Sequence, residues 1–298
     1  MDRTLRLYLH QPLLATARAG KLGVANHLAA ALDSAGWRLD VQPLTDTAIR
    51  QADKAGEWAL YHMAKPPHDR ALVLRLAYHY PFWKIEPVAE RWRWQVAQER
   101  FRPGRINGAA AADFAARLRG RVLAGPPPTR GDHVLIPLQG QILRHRSFQT
   151  MAPVQMVKTV AQTGRPCVAT LHPRETYDTA DRAALSDLAA HHPNLTIGGD
   201  TAALLRTCAF VATMNSAAGF DGYILGKPAV LFAQVDFHHI ALNVADLGAE
   251  RALARAADHQ PPFARYLDWF LRQQSLDMMA DDRQARIIAA LRRGGLPL

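Results

Sequence analysis

The sequence predicts an α/β protein built of two Rossmann-like domains with C-terminal helices, and three observations predict it. Between residues 134 and 232, short apolar runs alternate with helix-length stretches: VLIPLQ, PCVATL, LTIGG, AFVATM and PAVLFA are the strands. Strands apolar along their whole length belong to parallel sheets covered on both faces. The chain also opens on a strand followed by a helix, and its 298 residues lie near two average domains. Finally, GRVLAGPPPTRGD, Gly120 to Asp132, concentrates Gly and Pro and breaks every periodicity. The expected organisation is an N-terminal α/β domain over 1–125, a Rossmann-like domain over 132–260, and helices over 261–298.

Taken in order, TLRLYLH reads as the first strand, and KLGVANHLAAALDSAG as a helix with apolar residues at helical spacing, stopped by Gly36. EWALYHM and ALVLRLAYH read as strands, and IEPVAERWRWQVAQERF as helical after Pro87. Beyond the Gly/Pro stretch come VLIPLQ as strand, SFQTMAPVQMVKTVAQTG as helix, PCVATL as strand, ADRAALSDLAAHH as helix and LTIGG as strand. A short helix TAALLRT, the strand AFVATM, a helix starting after Asn215 or Ser216 and the strand PAVLFA complete the alternation. FARYLDWFLRQQ and DRQARIIAALRR read as amphipathic helices that pack back across the domains.

Hydrophobic residues at 49% and charged residues at 21% exclude a largely disordered chain. A net charge of +10 favours an anionic partner without naming it. Cys167 and Cys208 each sit in an apolar run, as buried thiols of a reducing compartment do. Arg6 and His10 interrupt any signal-peptide core, and no apolar run reaches membrane-spanning length, so a cytoplasmic location is expected.

Two stretches carry chemistry. In VATLHPRE a strand ends on His172, Pro173, Arg174 and Glu175, where side chains past the carboxyl end of a parallel strand converge on a ligand crevice. Proline restrains the residue before it, so His172 is held extended, and an imidazole there can neutralise a departing phosphate. A dipeptide alone more often just turns the chain. In TMNSAAGFDGYILGKPAVLF, Asn215 and Ser216 are good N-caps, Gly219 lets another group approach the helix start, and the free N–H groups make an anion cradle. A capped helix without a ligand is the competing reading. Two such strand ends in one domain are what a nucleotide-diphosphate or nucleotide-monophosphate donor site requires.

Together, VLIPLQGQ, LHPRE and TMNSAAGFDGYILGKPAVLF resemble the capsule polysaccharide biosynthesis family of GT-B glycosyltransferases, whose members include β-Kdo transferases using CMP-Kdo. The resemblance spans Val134 to Ala241. It implies a GT-B-like fold and a CMP-sugar donor as substrate, with no cofactor and no metal. It places His172 at the CMP phosphate and Asn215 and Ser216 at the helix start that binds it; Gln139 and Gly219 are further candidates for the donor-binding set. The acceptor implied is a polysaccharide or a lipid-linked glycan, and the domains up to 125 and from 132 would be its acceptor side and its nucleotide-sugar donor side; peripheral contact at the inner membrane is the candidate reading of the Arg/Trp stretch below.

One departure matters. Members with β-Kdo activity carry an aspartate shortly after the VLIPLQ strand, whereas here no acidic residue occurs from His133 to Pro173. Glutamine cannot serve as a carboxylate base, so another acid must replace it, and Glu175 ranks ahead of Asp200 and Asp221 as the candidate catalytic acid beside His172. Arg144, Arg146 and Arg174 are candidate contacts for an acidic sugar or the phosphate. RWRWQVAQERFRPGR interleaves Trp92, Trp94 and Phe101 with arginines and reads either as a membrane-facing helix or, preferably, as an interdomain helix with buried tryptophans. The pairs His191–His192 and His238–His239 lack metal-ligand spacing, and His238 or His239 is a weaker candidate for touching a nucleotide than for a surface turn. No nucleic-acid module, GxGxxG, Walker sequence or GxSxG is present. The alternatives to transfer are a sugar-nucleotide epimerase of the same fold and a noncatalytic nucleotide-sugar-binding subunit.

Overall fold

A computed structural model of the chain describes residues 3–298, those at 52–55 by backbone alone. The chain forms two compact units: one from the residues up to Glu99 together with Trp269–Leu298, the other from Arg100–Asp268. Both are Rossmann-like α/β units, each around its own six-stranded, parallel-rich sheet.

In the first unit, β1 (Thr4–Leu9), β2 (Arg38–Pro43), β3 (Ala59–His62) and β4 (Ala71–Leu76) run parallel in the order β4-β3-β1-β2. β5 (Phe82–Glu86) pairs antiparallel with β4, and the two-residue strand Leu276–Asp277 closes the edge antiparallel to β5. Leu5, Leu7 and Leu60 of the sheet and Leu28 of helix Gly23–Ser34 share one core with Ile287 and Leu291 of the last helix, Arg283–Arg293. The C-terminal helix is therefore amphipathic, as its pattern predicts, but it completes the first unit's core and does not form a separate 261–298 segment.

The second unit holds β6 (Val134–Pro137), β7 (Cys167–Thr170), β8 (Leu195–Ile197), β9 (Phe210–Thr213), β10 (Ala229–Leu231) and β11 (Leu242–Asn243). All are parallel, in the order β11-β10-β9-β6-β7-β8. Every strand expected from an apolar run between 134 and 232 is present. β6 and β9 are buried at every residue and β7 at three of four, because helices cover the sheet on both faces.

Four expectations are corrected. The stretch from Ile85 is not one helix: Ile85 and Glu86 end β5, and beyond them lie a 3-10 turn at Arg91–Arg93 and one helical turn at Gln95–Gln98. Trp94 sinks to 1% exposure there, its indole N–H donating to the Val88 carbonyl at 2.8 Å. Of the two tryptophans expected in a core, Trp94 is buried and Trp92 half-buried, and the broken helix leaves no continuous membrane-facing one. The helix expected over SFQTMAPVQMVKTVAQTG is confined to Pro153–Ala161, since proline is favoured at a helix's first position and disfavours helix before it. FARYLDWFLRQQ is helical over Phe263–Leu267 and continues as a π-helical turn, Asp268–Gln273. β2, helix Asp46–Ala55 and β5 are elements that the sequence pattern does not predict.

The fourth correction concerns the Gly/Pro stretch, which lies inside the second unit. Its first three residues end helix Gly108–Val122, and the rest is fastened to the unit. The Arg206 guanidinium donates to the carbonyls of Leu123, Ala124 and Pro126 at 2.5, 2.9 and 2.7 Å. The Lys227 ammonium, 4% exposed, donates to the Thr129 carbonyl and to that of Cys208 at 2.7 Å. The GKP lysine is thus a clamp for carbonyls of a loop without regular structure, where no ladder supplies donors. Burial pushes the Cys167 thiol up to about 11 and the Cys208 thiol up to about 12, so both are inert core groups.

Arg206→Ala strips three carbonyls of charged donors and is expected to destabilise the second unit by about 2 kcal/mol. Urea unfolding measures the loss, and limited proteolysis should cut the variant between residues 123 and 131 well before it cuts the wild type.

Candidate functional site

The candidate site lies at the carboxyl edge of the second sheet. Register fixes which loops meet there: Pro137 of β6 pairs with Thr170 of β7, and β6 and β9 pair through Val134↔Phe210 and Leu135↔Val211. The central strands β9, β6 and β7 therefore end side by side, and the residues after each share one edge. The Leu138 N–H donates to the Thr170 carbonyl at 2.8 Å, and the Thr213 hydroxyl to the Pro137 carbonyl at 3.3 Å, extending the alignment past the strands.

After β7, the chain is locked by its own side chains. The His172 N–H donates to the Tyr177 hydroxyl at 3.0 Å, and the Arg174 N–H donates to His172 Nδ1 at 3.2 Å. Nδ1 is thereby an acceptor, so the proton of the neutral ring sits on Nε2, on an exposed side chain. Helix Thr179–His191 starts immediately beyond with a reciprocal cap between Asp178 and Asp181. Tyr177 is buried against it, and burial raises its phenol above the ordinary range, helped by Glu175 and Asp181 and opposed by the His172 bond.

Glu175 is exposed, and its carboxylate covers the turn after β6 so closely that a Cβ on Gly140 would lie 2.5 Å from Oε2. An acid is thus present beside Gln139–Gly140–Gln141 after all, delivered from the neighbouring strand. Gln141 itself has φ 59°, a left-handed backbone uncommon for a non-glycine residue. Further along, Arg146 is half-buried, with its guanidinium 4.9 Å from the Phe148 ring and its Nε buried without a partner. Burial and Arg144 lower the Arg146 pKa, and the Glu175 carboxylate raises it, so the acid and the guanidinium lie within electrostatic reach of each other. Arg146 and Gln139 line a small pocket with Leu138, Met156 and Met214. Arg144 and Arg174 are exposed.

After β9, Asn215 is half-buried and Ser216 is 8% exposed. The Ser216 hydroxyl accepts from the Ala218 N–H at 3.3 Å and its own N–H donates to the Thr213 hydroxyl at 3.4 Å, so it caps helix Ala217–Ile224 and keeps a hydroxyl proton to donate. The group that approaches Gly219 is the Phe237 ring, 3.3 Å from where a Cβ would stand. Within the chain, that glycine gives the Phe237 ring room against the helix. Asp200 caps helix Thr201–Thr207 through the Ala202 N–H, and Asp221 lies within a helix, away from its start. The His238 and His239 rings stack at 4.2 Å, and His239 Nδ1 meets the Tyr266 hydroxyl at 2.9 Å, a packing role. Among the described residues no three His, Cys, Asp or Glu side chains gather as a metal site, and no helix is long and apolar enough to cross a membrane.

The sequence reasoning missed His62, which ends β3 at the carboxyl edge of the first sheet. It is 9% exposed, its Nδ1 is buried without a partner, and burial plus the charges of His10 and Arg75 lower its pKa to about 4. Only its position at a strand end, in EWALYHM, signalled it.

No protein-family model matches the chain, and no curated protein does. Among solved structures, the beta Kdo 2,7 transferase KpsC of Thermosulfurimonas dismutans is similar at TM-score 0.51 and 11% identity, over 85% of this chain and 90% of that one. A glycosyltransferase of Rickettsia africae (TM-score 0.38, 10% identity, 98% and 94% covered) and the UDP-GlcNAc 2-epimerase of Methanocaldococcus jannaschii (0.36, 9%, 97% and 99%) are more distant. At 11% identity the likeness to the transferase of Thermosulfurimonas dismutans is one of fold alone.

Gly140→Ala should move the Glu175 carboxylate and little else. Unfolding free energy is expected to stay within about 1 kcal/mol of wild type, since a flexible side chain can swing away, while the Glu175 carboxyl carbon resonance shifts. A second expectation concerns His62: the unfolded chain protonates it near the ordinary 6.5 and the folded chain near 4. Between those values the unfolded state binds more protons, so stability falls as pH drops through the window, by about 3 kcal/mol in all. Urea unfolding of wild type and His62→Gln at about pH 7 and about pH 4.5 isolates that share, which the variant lacks.

Proposed function

We propose that the chain is a glycosyltransferase that moves an acidic sugar, Kdo, from a CMP-sugar to a surface or capsular polysaccharide acceptor. One observation carries the proposal: the ends of β6, β7 and β9 bring a carboxylate, an imidazole, a guanidinium and a helix start to a single sheet edge. In that arrangement each group has a task. His172 Nε2–H and the start of helix Ala217–Ile224, with the Ser216 hydroxyl and Asn215, hold the donor phosphate. Arg146 supplies an unpartnered N–H to the sugar carboxylate. Glu175 replaces the aspartate absent after β6 and takes the proton of the acceptor hydroxyl as its oxygen bonds to the anomeric carbon. The bond from that carbon to the phosphate oxygen breaks, its electron pair leaving with CMP. The structural likeness to a beta Kdo 2,7 transferase supports the fold on which this chemistry rests, and the +10 charge suits a donor with two anionic groups.

Calorimetric titration with CMP, UDP and GDP tests the reading on wild type, His172→Ala and Ser216→Ala. CMP is expected to bind best, and loss of one charge-assisted hydrogen bond should weaken it about tenfold in His172→Ala. Glu175→Gln should retain CMP binding and lose turnover of CMP-Kdo by two orders of magnitude or more, roughly the share of general base catalysis. A preference for UDP would instead favour an epimerase, and tight CMP binding without turnover a noncatalytic binding subunit.

A further inference from the structure

β5 borders the first sheet, and only the two-residue strand Leu276–Asp277 lies beyond it. The Ala77 N–H donates to the Phe82 carbonyl at 2.8 Å, and Arg75 and Val73 lie opposite Lys84 and Glu86. The alternation of an antiparallel ladder therefore turns the peptide groups of Phe82, Lys84 and Glu86 toward β4, and those of Pro81, Trp83 and Ile85 outward. Two of the outward positions are covered: the Met278 N–H donates to the Pro81 carbonyl at 3.2 Å, and Leu276 lies opposite Trp83. Continuing that register would bring Gln274 to Ile85. Gln274 is committed elsewhere, its N–H donating to the Trp269 carbonyl at 2.9 Å and its carbonyl accepting from the Lys84 ammonium. The next outward position, Pro87, has no N–H. The open edge is thus one residue wide, and no group among the described residues bonds the peptide group of Ile85 there, although the residue is only 5% exposed. Folded proteins rarely leave a buried peptide group in that state.

A cavity of about 240 Å³ lies against this edge, bounded by residues 83–86 of β5, by residues 273–275, and by Arg286, Ala289 and Arg293 of helix Arg283–Arg293. Seven positions are close to two helical turns, so the two arginines share a side of the helix, and the small Ala289 leaves room between them. Arg293 is exposed and has no partner among the described residues. Arg286 donates from Nε to Asp282 at 2.9 Å and from one terminal nitrogen to the carbonyls of Arg272 and Ser275, which leaves its other terminal nitrogen to donate. The acid of the cavity, Glu86, is buried and accepts from the Gln95 N–H at 3.2 Å. A further donor of the lining residues, the buried Trp83 indole N–H, lacks a partner as well.

The edge therefore calls for one donor and one acceptor at ladder spacing, beside positive charge. The last residue of a peptide chain supplies all three: its N–H for the Ile85 carbonyl, one carboxylate oxygen for the Ile85 N–H, and the other oxygen for a guanidinium. An internal segment would find no second N–H to pair with, because Pro87 ends the ladder. We propose that the outer edge of β5 at Ile85, with Arg286 and Arg293, docks the free carboxyl terminus of a partner protein. The site uses no group of the second sheet and stands independently of the transfer reading.

The probes are acetyl-trialanine with a free carboxylate and the same peptide as its C-terminal amide, titrated into the full chain carrying nitrogen-15 isoleucine. The acid is expected to bind about tenfold more tightly than the amide, to shift the Ile85 amide resonance as it saturates, and to slow hydrogen exchange there. Arg293→Gln should weaken the acid about tenfold. Ala289→Leu, at an exposed position, should abolish binding by filling the groove, and Arg292→Gln, adjacent on the helix but outside the cavity, should leave it unchanged. CMP affinity should be the same in all three variants. Equal affinity for acid and amide, an Ile85 amide that does not respond, binding intact in both Arg293→Gln and Ala289→Leu, or no binding at millimolar concentration overturns the proposal. Tighter binding of glucuronate than of acetyl-trialanine overturns it too, since the site would then take an acidic sugar.

Discussion

Everything placed at the candidate site depends on the parallel pairing of β9, β6 and β7. Each strand is only four residues long, and a one-residue slip would turn its alternate side chains to the opposite face. The pairing is held by burial on both faces and by bonds that continue beyond the strands, from the Leu138 N–H to Thr170 and from the Thr213 hydroxyl to Pro137. With register fixed, Gly140 and Glu175 become neighbours although 35 positions separate them in the chain. The absence of a side chain at Gly140 then decides how near the carboxylate can come.

That neighbourhood also shows why a carboxylate missing from one loop need not be missing from the site. The edge of a parallel sheet is a shared space, and an acid on either of two adjacent loops reaches nearly the same point. Delivery from β7 has a structural consequence, however. The position of Glu175 depends on the loop it rides on, and that loop is braced by Tyr177, by the His172 ring nitrogen and by the Asp178–Asp181 cap. Imidazole and carboxylate are therefore set by one short rigid segment. A change at Tyr177 would disturb both together, whereas an acid on the β6 loop would move independently of the histidine.

Much of this was legible in the sequence, for physical reasons that can be assigned residue by residue. Strands covered on both faces must be apolar throughout, so VLIP, CVAT and FVAT declare themselves. Asn215–Ser216 before a helix announces a cap, and Asp200 is the cap that its default reading expects. What escaped was either half-exposed or nonlocal. β2, RLDVQP, is an edge strand with no fully buried residue, and it carries no apolar signal. β5, FWKIE, carries Lys84 and Glu86 in buried positions, which a pattern of polarity reads as helix or loop. Lys84 is tolerated there because its ammonium reaches the Gln274 carbonyl and lies 5.1 Å from the Phe270 ring, partners far along the chain. Likewise, the Gly/Pro stretch has a linker's composition, and only Arg206 and Lys227, distant in sequence, make it part of a domain.

The three non-glycine residues with left-handed backbone among the described ones are Met63, Tyr78 and Gln141. Each comes just after the carboxyl end of a parallel strand, β3, β4 or β6, and none lies at the opposite edge of either sheet. Such conformations cost about 1 kcal/mol or more apiece and persist where the surrounding structure over-determines them. A chain free to relax would place glycine or asparagine at these turns, as it does with Gly198 and Gly199 after β8. The strain is concentrated at the two edges where basic groups, an exposed acid and exposed apolar side chains also collect. Left-handed backbone thus falls, in both sheets, at the edge where the parallel strands end and where ligands of such sheets bind.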